Sequence, residues 1–172
     1  ELYNALEALE GQEDVINGNT YVLANVSLYG GGADGKVTIN ADLVGKDGKD
    51  ALDVDDEVHV EVNGDIDASE DGDIGVNAAD DTVVKVNGDV AGYYEGIDAD
   101  DNAQVTVTGD VSAIEDEGIE AAGQAQVTVG GDVSSEYSNA VDAEGNAQVT
   151  VGGDATGDSG VVASDDAQVT VD

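Results

Sequence analysis

Apolar and polar residues alternate along most of this chain, in short bursts that return at a nearly constant interval. The pentapeptide AQVTV occurs at 103–107, 125–129, 147–151 and 167–171. Successive side chains of a strand face opposite sides, so Ala103, Val105 and Val107 form one face and Gln104 and Thr106 the other. Aligned on a Gly-Asp corner, the bursts read VTINADL (37–43), VEVNGDI (60–66), VKVNGDV (84–90), VTVTGDV (105–111), VTVGGDV (127–133) and VTVGGDA (149–155). VTVD (169–172) closes the series, and INGNT (16–20) reads as a degenerate first copy. A shorter block falls midway: ALDV (51–54), GVNA (75–78), GIDA (96–99), GIEA (118–121), AVDA (140–143) and GVVA (160–163). The pattern predicts two strands in each period of 20–24 residues, with Ile97 and Ala99 inward and Asp98 outward.

A coil this short cannot bury its own apolar face. Stacking successive coils about 4.8 Å apart gives each strand two parallel neighbours and makes one thin core from columns such as Val105, Val127, Val149 and Ile97, Ile119, Val141. Alternating Val and Thr with Gly at the corners is poor helix material. The expected fold is all-β, a right-handed parallel β-helix (β-solenoid) of about eight 20–24-residue rungs, the hand following from the crossover rule for parallel strands. The rod would be roughly 35–40 Å long. Small inward residues, with no Phe or Trp, imply a narrow lumen.

The first residues break the pattern. Leu2, Ala5, Leu6 and Leu9 recur at helical spacing and Gly11 is a fitting stop, which predicts a capping helix over 1–11 that masks the edge of the first rung. The solenoid would take 12–172. With no such cap after Asp172 it is expected to continue in a longer parent chain.

Charge then changes the picture. Forty Asp and Glu face four Lys and no Arg, a net charge of −36. Such a surface repels phosphates and anionic lipid, so no nucleic acid partner is expected. No apolar run approaches the ~20 residues of a membrane span, and no membrane insertion is expected. There is no Cys, hence no disulfide or thiolate metal site. Hydrophobic residues make up 40% of the chain and sit at regular positions, which argues for order despite the charge.

The acid stacks in columns. One is the corner set Asp42, Asp65, Asp89, Asp110, Asp132 and Asp154; another is the outward set Asp53, Asn77, Asp98, Glu120 and Asp142; the rest lie in turns. Unit charges one rung apart repel by about 0.9 kcal/mol even in bulk water, so such columns call for a counterion. The corner Asp fits two readings. As a turn former it caps its own backbone two residues on, with Gly supplying positive φ; as a ligand it suits Ca²⁺, a hard cation that takes six to eight oxygens. DASEDGDI (67–74) matches the first half of an EF-hand-type loop, although Ala78 stands where the bidentate Glu would be and no helices flank it. The candidate metal ligands are Asp67, Ser69, Asp71 and Asp73, with Asp98 and Asp100 from the DADDN turn. The calcium β-roll motif GGxGxDxUx is not present.

YYEGIDADDNAQVTVTGDV (93–111) resembles the rungs of bacterial extracellular right-handed parallel β-helices of the pectate-lyase-like superfamily. It is closest to their calcium-containing carbohydrate-binding domains and to the repeat arrays of surface adhesins. The resemblance covers roughly 36–172 and rests on the EGI-D/E-A then V-x-V-x-G-D order. It implies a bacterial, extracellular or cell-surface location. A lyase of that superfamily pairs Ca²⁺-binding carboxylates with a basic residue. Here Arg is absent, Lys85 is the one lysine within the repeated strands, and the lone His59 reads as a solvated strand residue. No catalytic residue is assigned and no enzyme is expected.

The expected function is therefore a stalk or adhesive module of a bacterial surface protein, stabilised by Ca²⁺ and meeting glycans or host-surface molecules. The alternative is a carbohydrate-binding module using Tyr93, Tyr94 and Tyr137, with Tyr93 and Tyr137 in one column two rungs apart. A polysaccharide-degrading enzyme or an ice-binding surface ranks lower. The Thr106, Thr128, Thr150, Thr170 column has no second Thr column beside it, and Gln104, Gln126, Gln148 and Gln168 are expected to form amide ladders.

Overall fold

The computed structural model describes the backbone of residues 3–7 and 13–17 and all atoms of 22–29 and 36–172. Every strand among them pairs parallel with its neighbours one period away, and no described residue is helical. The chain is a β-solenoid.

Each turn has three sides, where the sequence pattern predicts two. The first ladder is the long one: Glu13–Asn17, Lys36–Asn40, His59–Val62, Val83–Val86, Gln104–Val107, Gln126–Val129, Gln148–Val151 and Gln168–Val171. The second starts straight after the Gly-Asp corner, with Leu43–Val44, Ile66–Asp67, Val90–Gly92, Val111–Ala113, Val133–Ser135 and Ala155–Thr156. The third is Leu52–Val54, Val76–Ala78, Ile97–Ala99, Ile119–Ala121, Val141–Ala143 and Val161–Ala163. Six complete turns thus lie between Lys36 and Ala163 among the described residues, somewhat fewer than the expected rungs. Eight strands in the first ladder give it a length of about 34 Å.

Register holds the apolar columns in line. Val105, Val127 and Val149 stack, as do Ile97, Ile119 and Val141, and each is at most 1% exposed. Leu43, Ile66, Val90, Val111 and Val133 give the core its third wall. Burying each such side chain stabilises the coil by about 1.5–3 kcal/mol.

The three corners obey different rules. The third is four residues long in every turn, and its second residue (Asp56, Asp80, Asp101, Gly123, Gly145 or Asp165) has φ between 56° and 69°. Asp and Gly share that column because both tolerate the left-handed region. The second corner varies from four residues (93–96) to eight (68–75), and this variation accounts for most of the uneven period.

The N-terminal expectation is corrected in part. Tyr3–Glu7 is a strand, paired parallel with Leu23–Tyr29, rather than part of a helix. An isolated helix of about ten residues is marginal in water, whereas an open strand edge offers backbone partners at once. The other positions of the expected cap, 1–2 and 8–11, lie outside the described residues. In the degenerate copy INGNT, Ile16 and Asn17 do stand in register with Ile39 and Asn40; 18–20 lie outside the described residues.

Candidate functional site

The corner aspartates form a ladder. The Oδ1 of Asp42, Asp65, Asp89, Asp110 and Asp132 each accepts a hydrogen bond from the backbone amide of the next corner aspartate, at 2.8–3.0 Å. The side chain therefore spans two rungs instead of capping its own turn. None of the glycines before these aspartates has positive φ. They are needed for space, which corrects the turn-former reading. Asn40, Asn63 and Asn87 form a parallel amide ladder beside them, with Nδ2 to Oδ1 distances of 2.7 Å.

The uncompensated acid lies on another side. Asp53, Asn77, Asp98, Glu120 and Asp142 stand in register on the outward face of the third ladder. The second corner feeds more carboxylates to the same place: Asp50, Asp73, Glu95, Asp116 and Glu117. The carboxylates of Glu95, Glu117 and Glu120 each bring an oxygen within 4.8 Å of the others. Among the described residues the one lysine–carboxylate ion pair, Lys85 Nζ to Glu61 at 2.7 Å, is on the first ladder. Asn77 and, in the last turn, Val162 are neutral members of the outward column, and the Asn77 Nδ2 donates to Asp50 at 3.2 Å.

Protonation reflects this crowding. Partial burial, then the charges of Asp116, Asp98 and Glu120, push the Glu95 carboxyl up to about 7. Glu120 also rises to about 7, through loss of water and then through Asp98 and Glu117. Asp98 reaches about 6 by burial and the nearby Asp100 and Asp50. Asp53, Asp73 and Asp142 are raised too, burial leading in each case. Asp116 is raised to about 6 chiefly because it shares a hydrogen bond with Glu117. Burial alone would raise Glu117, but its bonds to Asp116 and Ser138 hold it below the ordinary value; Ser138 Oγ donates at 2.8 Å.

This donor set consists of carboxylate oxygens without thiolate or imidazole, which suits a hard cation. Oxygens bound to Ca²⁺ at about 2.3–2.6 Å lie up to roughly 5 Å apart across the ion. The Glu95, Glu117 and Glu120 oxygens meet that spacing. A second group, Asp55, Asp56 and Asp80, meets the same spacing at the third corner but is fully solvent-facing.

The sequence-derived ligands divide. Asp98 sits in the acidic column with Asp100 beside it. Asp73 lies near Asp50. Asp67 is engaged locally, its Oδ1 accepting from Ser69 N at 2.9 Å and Ser69 Oγ at 2.6 Å. Asp71 is exposed, and its carbonyl accepts from the Gly48 amide at 2.9 Å. None of Asp67, Asp71, Asp73, Asp98 and Asp100 belongs to either carboxylate group found among the described residues. Glu95, Glu117 and Glu120 are not among the expected ligands, although the sequence pattern puts Glu120 in the outward column and Glu117 in the acidic turn EDE (115–117). The recurrence of Glu-Gly-Ile at 95–97 and 117–119 is the signal that links Glu95 to Glu117.

The tyrosines also shift by one place. Glu115 N donates to Tyr93 O at 2.8 Å and Tyr137 N to Ile114 O at 3.1 Å. That register aligns Tyr94, Glu115 and Tyr137, so Tyr94 rather than Tyr93 shares a column with Tyr137. Their side chains are open to solvent, Tyr94 at 47% and Tyr137 at 59% exposure. Tyr93 packs edge-on against Tyr94, with ring centroids 5.2 Å apart. These residues follow the strands that floor an open groove of about 510 Å³, with Ala91, Ser112 and Ser134 at its base and Asp65, Asp89, Asp110 and Asp132 along its wall. Compared with family models, with curated proteins and with solved structures, the chain matches none.

Proposed function

We propose that the chain is a non-enzymatic, Ca²⁺-stiffened β-solenoid rod from a bacterial surface protein, serving as a stalk or adhesive segment outside the cell. The observation that carries this reading is the Glu95, Glu117 and Glu120 cluster, in which three carboxylates converge without a lysine. A bound divalent cation would offset the partial burial and, after it, the repulsion that raise Glu95 and Glu120. Extracellular Ca²⁺ modules work at dissociation constants of about 10⁻⁴–10⁻³ M, a range that suits a shallow, partly exposed site.

Thermal melting tests it. Ca²⁺ bound only by the folded rod adds about 2.7 kcal/mol per site at a hundredfold excess over Kd, whereas screening depends on ionic strength alone. Millimolar Ca²⁺ is expected to raise Tm more than Mg²⁺ or Na⁺ at matched ionic strength. The increment should vanish in Glu117→Gln/Glu120→Gln while the general salt effect stays. Curves in EGTA with matched NaCl that overlay those in Ca²⁺ would refute the cation.

The exposed Tyr94 and Tyr137 beside the groove favour a second reading, a carbohydrate-binding module on the same rod. Aromatic faces stack on sugar rings, and acid or bound Ca²⁺ can hold hydroxyls. A glycan array run with and without Ca²⁺ separates the two. Selective binding that Tyr94→Ala/Tyr137→Ala abolishes supports the module; silence supports the stalk.

A further inference from the structure

The outward face of the first ladder differs from the rest of the rod. In its last four strands the outward side chains are Gln104, Gln126, Gln148 and Gln168 and Thr106, Thr128, Thr150 and Thr170, all exposed. They stand in two straight columns one rung apart. The amide ladder expected of the glutamines does not form: no side-chain hydrogen bond engages these glutamines or threonines. Each keeps a free donor and a free acceptor. In the three preceding strands the outward charges are Lys36, Glu61 and Lys85. Two lysines and one glutamate leave these strands at +1 with His59 neutral, and Glu13, in register with Lys36 on the same ladder, brings the sum to zero on a chain that carries −36.

We infer that this face is a self-association surface, on which a second copy of the chain docks face to face about a two-fold axis. An isologous contact needs a patch that complements itself, and amides and hydroxyls do so in either direction. Contact through the third ladder would bring its column of carboxylates together, and the outward residues of the second ladder, Ala91, Ser112 and Ser134 among them, line a groove bordered by the corner aspartates rather than a flat face. Seven strands of about four residues offer roughly 29 by 13 Å, about 750 Å² for two copies, which belongs to weak and reversible interfaces. The remaining charge sits on the other faces and corners, so it opposes approach at long range and is screened by salt. Association therefore strengthens as ionic strength rises, opposite to a contact built from ion pairs.

Sedimentation equilibrium in EGTA, at about 0.05 and about 0.5 M NaCl, tests this. A monomer–dimer equilibrium is expected, with affinity roughly tenfold higher at the higher salt. Thr128→Glu/Thr150→Glu should abolish it without harming the fold, because Glu61 and Lys85 already occupy the same register column. Ser112→Glu/Ser134→Glu adds the same charge to the second ladder and should leave the dimer largely intact. A monomer under all conditions overturns the inference, as does a dimer indifferent to the Thr changes. A dimer that forms only when Ca²⁺ replaces EGTA would be a cation bridge between acidic faces and also overturns it. So does retention of a monomer on a neutral polysaccharide resin that the Thr changes abolish, since the face would then belong to glycan. Working in EGTA keeps failure here separate from failure of the Ca²⁺ reading.

Discussion

The carboxylate of Asp110 fills the space where a Cβ on Gly131 would sit, held there by the amide of Asp132, which donates to its Oδ1 at 2.8 Å. The Gly-Asp pair is thus one device spread over two rungs: the aspartate reaches up, and the glycine above makes room. The same relation joins Asp89 to Gly109 and Asp132 to Gly153. Gly131→Ala should cost about 2–4 kcal/mol, combining overpacking with a lost charge-assisted hydrogen bond. Asp110→Asn retains the acceptor and should change stability by less than about 0.5 kcal/mol. Because Asp110 itself obstructs the new methyl group, Gly131→Ala/Asp110→Ala should cost less than the sum of its parts. Urea denaturation of the parent chain, Gly131→Ala, Asp110→Ala and the double variant measures this coupling; an additive pair would sink the steric account.

Thr82 is a local error in an otherwise consistent core. It occupies the last place of the third corner, where other turns hold Val58, Ala103, Ala125 and Ala147. It is fully buried and its Oγ1 has no hydrogen-bond partner. Thr82→Val keeps the shape and removes the stranded hydroxyl, and should stabilise the rod by about 1–3 kcal/mol. A lower midpoint of unfolding for Thr82→Val would show that the hydroxyl is satisfied in solution.

Much of the fold was legible because stacking demands repetition. Val105, Val127 and Val149, or Asp98, Glu120 and Asp142, recur at matching places since each must sit above the last. What repetition does not encode stayed hidden. The second ladder begins at the corner itself, so its first apolar residue, such as Val90, Val111 or Val133, reads as the end of the long block rather than as a strand of its own. The second corner changes length from turn to turn, so alignment by sequence put Tyr93 where backbone hydrogen bonds put Tyr94. Glu95, Glu117 and Glu120 converge from two different rungs and two different elements; the Glu-Gly-Ile recurrence aligns Glu95 with Glu117 but does not bring Glu120 to them.

Asp101 tests the left-handed column. It holds φ of 56°, while Gly123 and Gly145 hold the same place in the next two turns at 68° and 69°. An aspartate pays about 1 kcal/mol for that conformation, which Gly avoids, although Gly also makes the unfolded chain looser. Removing one charge from a −36 chain favours the change as well. Asp101→Gly should be neutral to stabilising by about 1 kcal/mol, and Asp101→Val should destabilise by more than that. Equal melting temperatures for the Gly and Val variants would contradict a left-handed residue here.

The acidic face sets the response to pH. Glu95 and Glu120 sit at about 7 and Asp98 and Asp116 at about 6 in the folded rod, against ordinary values of 4.5 and 3.8. Such groups take up protons on folding, so the stability they contribute is complete below about 4 and is lost as pH rises through 6 to 7. Glu117 acts in reverse: its value is lowered, so its share is present above 4.5 and is lost as pH falls below that. In EGTA, Tm should therefore climb as pH is lowered from about 8 to about 5 and turn down in stronger acid. Glu95→Gln/Glu120→Gln should raise Tm at the alkaline end and flatten the climb, because the two most displaced carboxyls no longer ionise. Saturating Ca²⁺ should flatten it as well in the parent chain, since cation and proton neutralise the same oxygens. A climb that survives intact in Glu95→Gln/Glu120→Gln would place its origin in other carboxylates. A Tm that is level between about 5 and 8 in EGTA would mean that these carboxyls titrate alike in folded and unfolded chains.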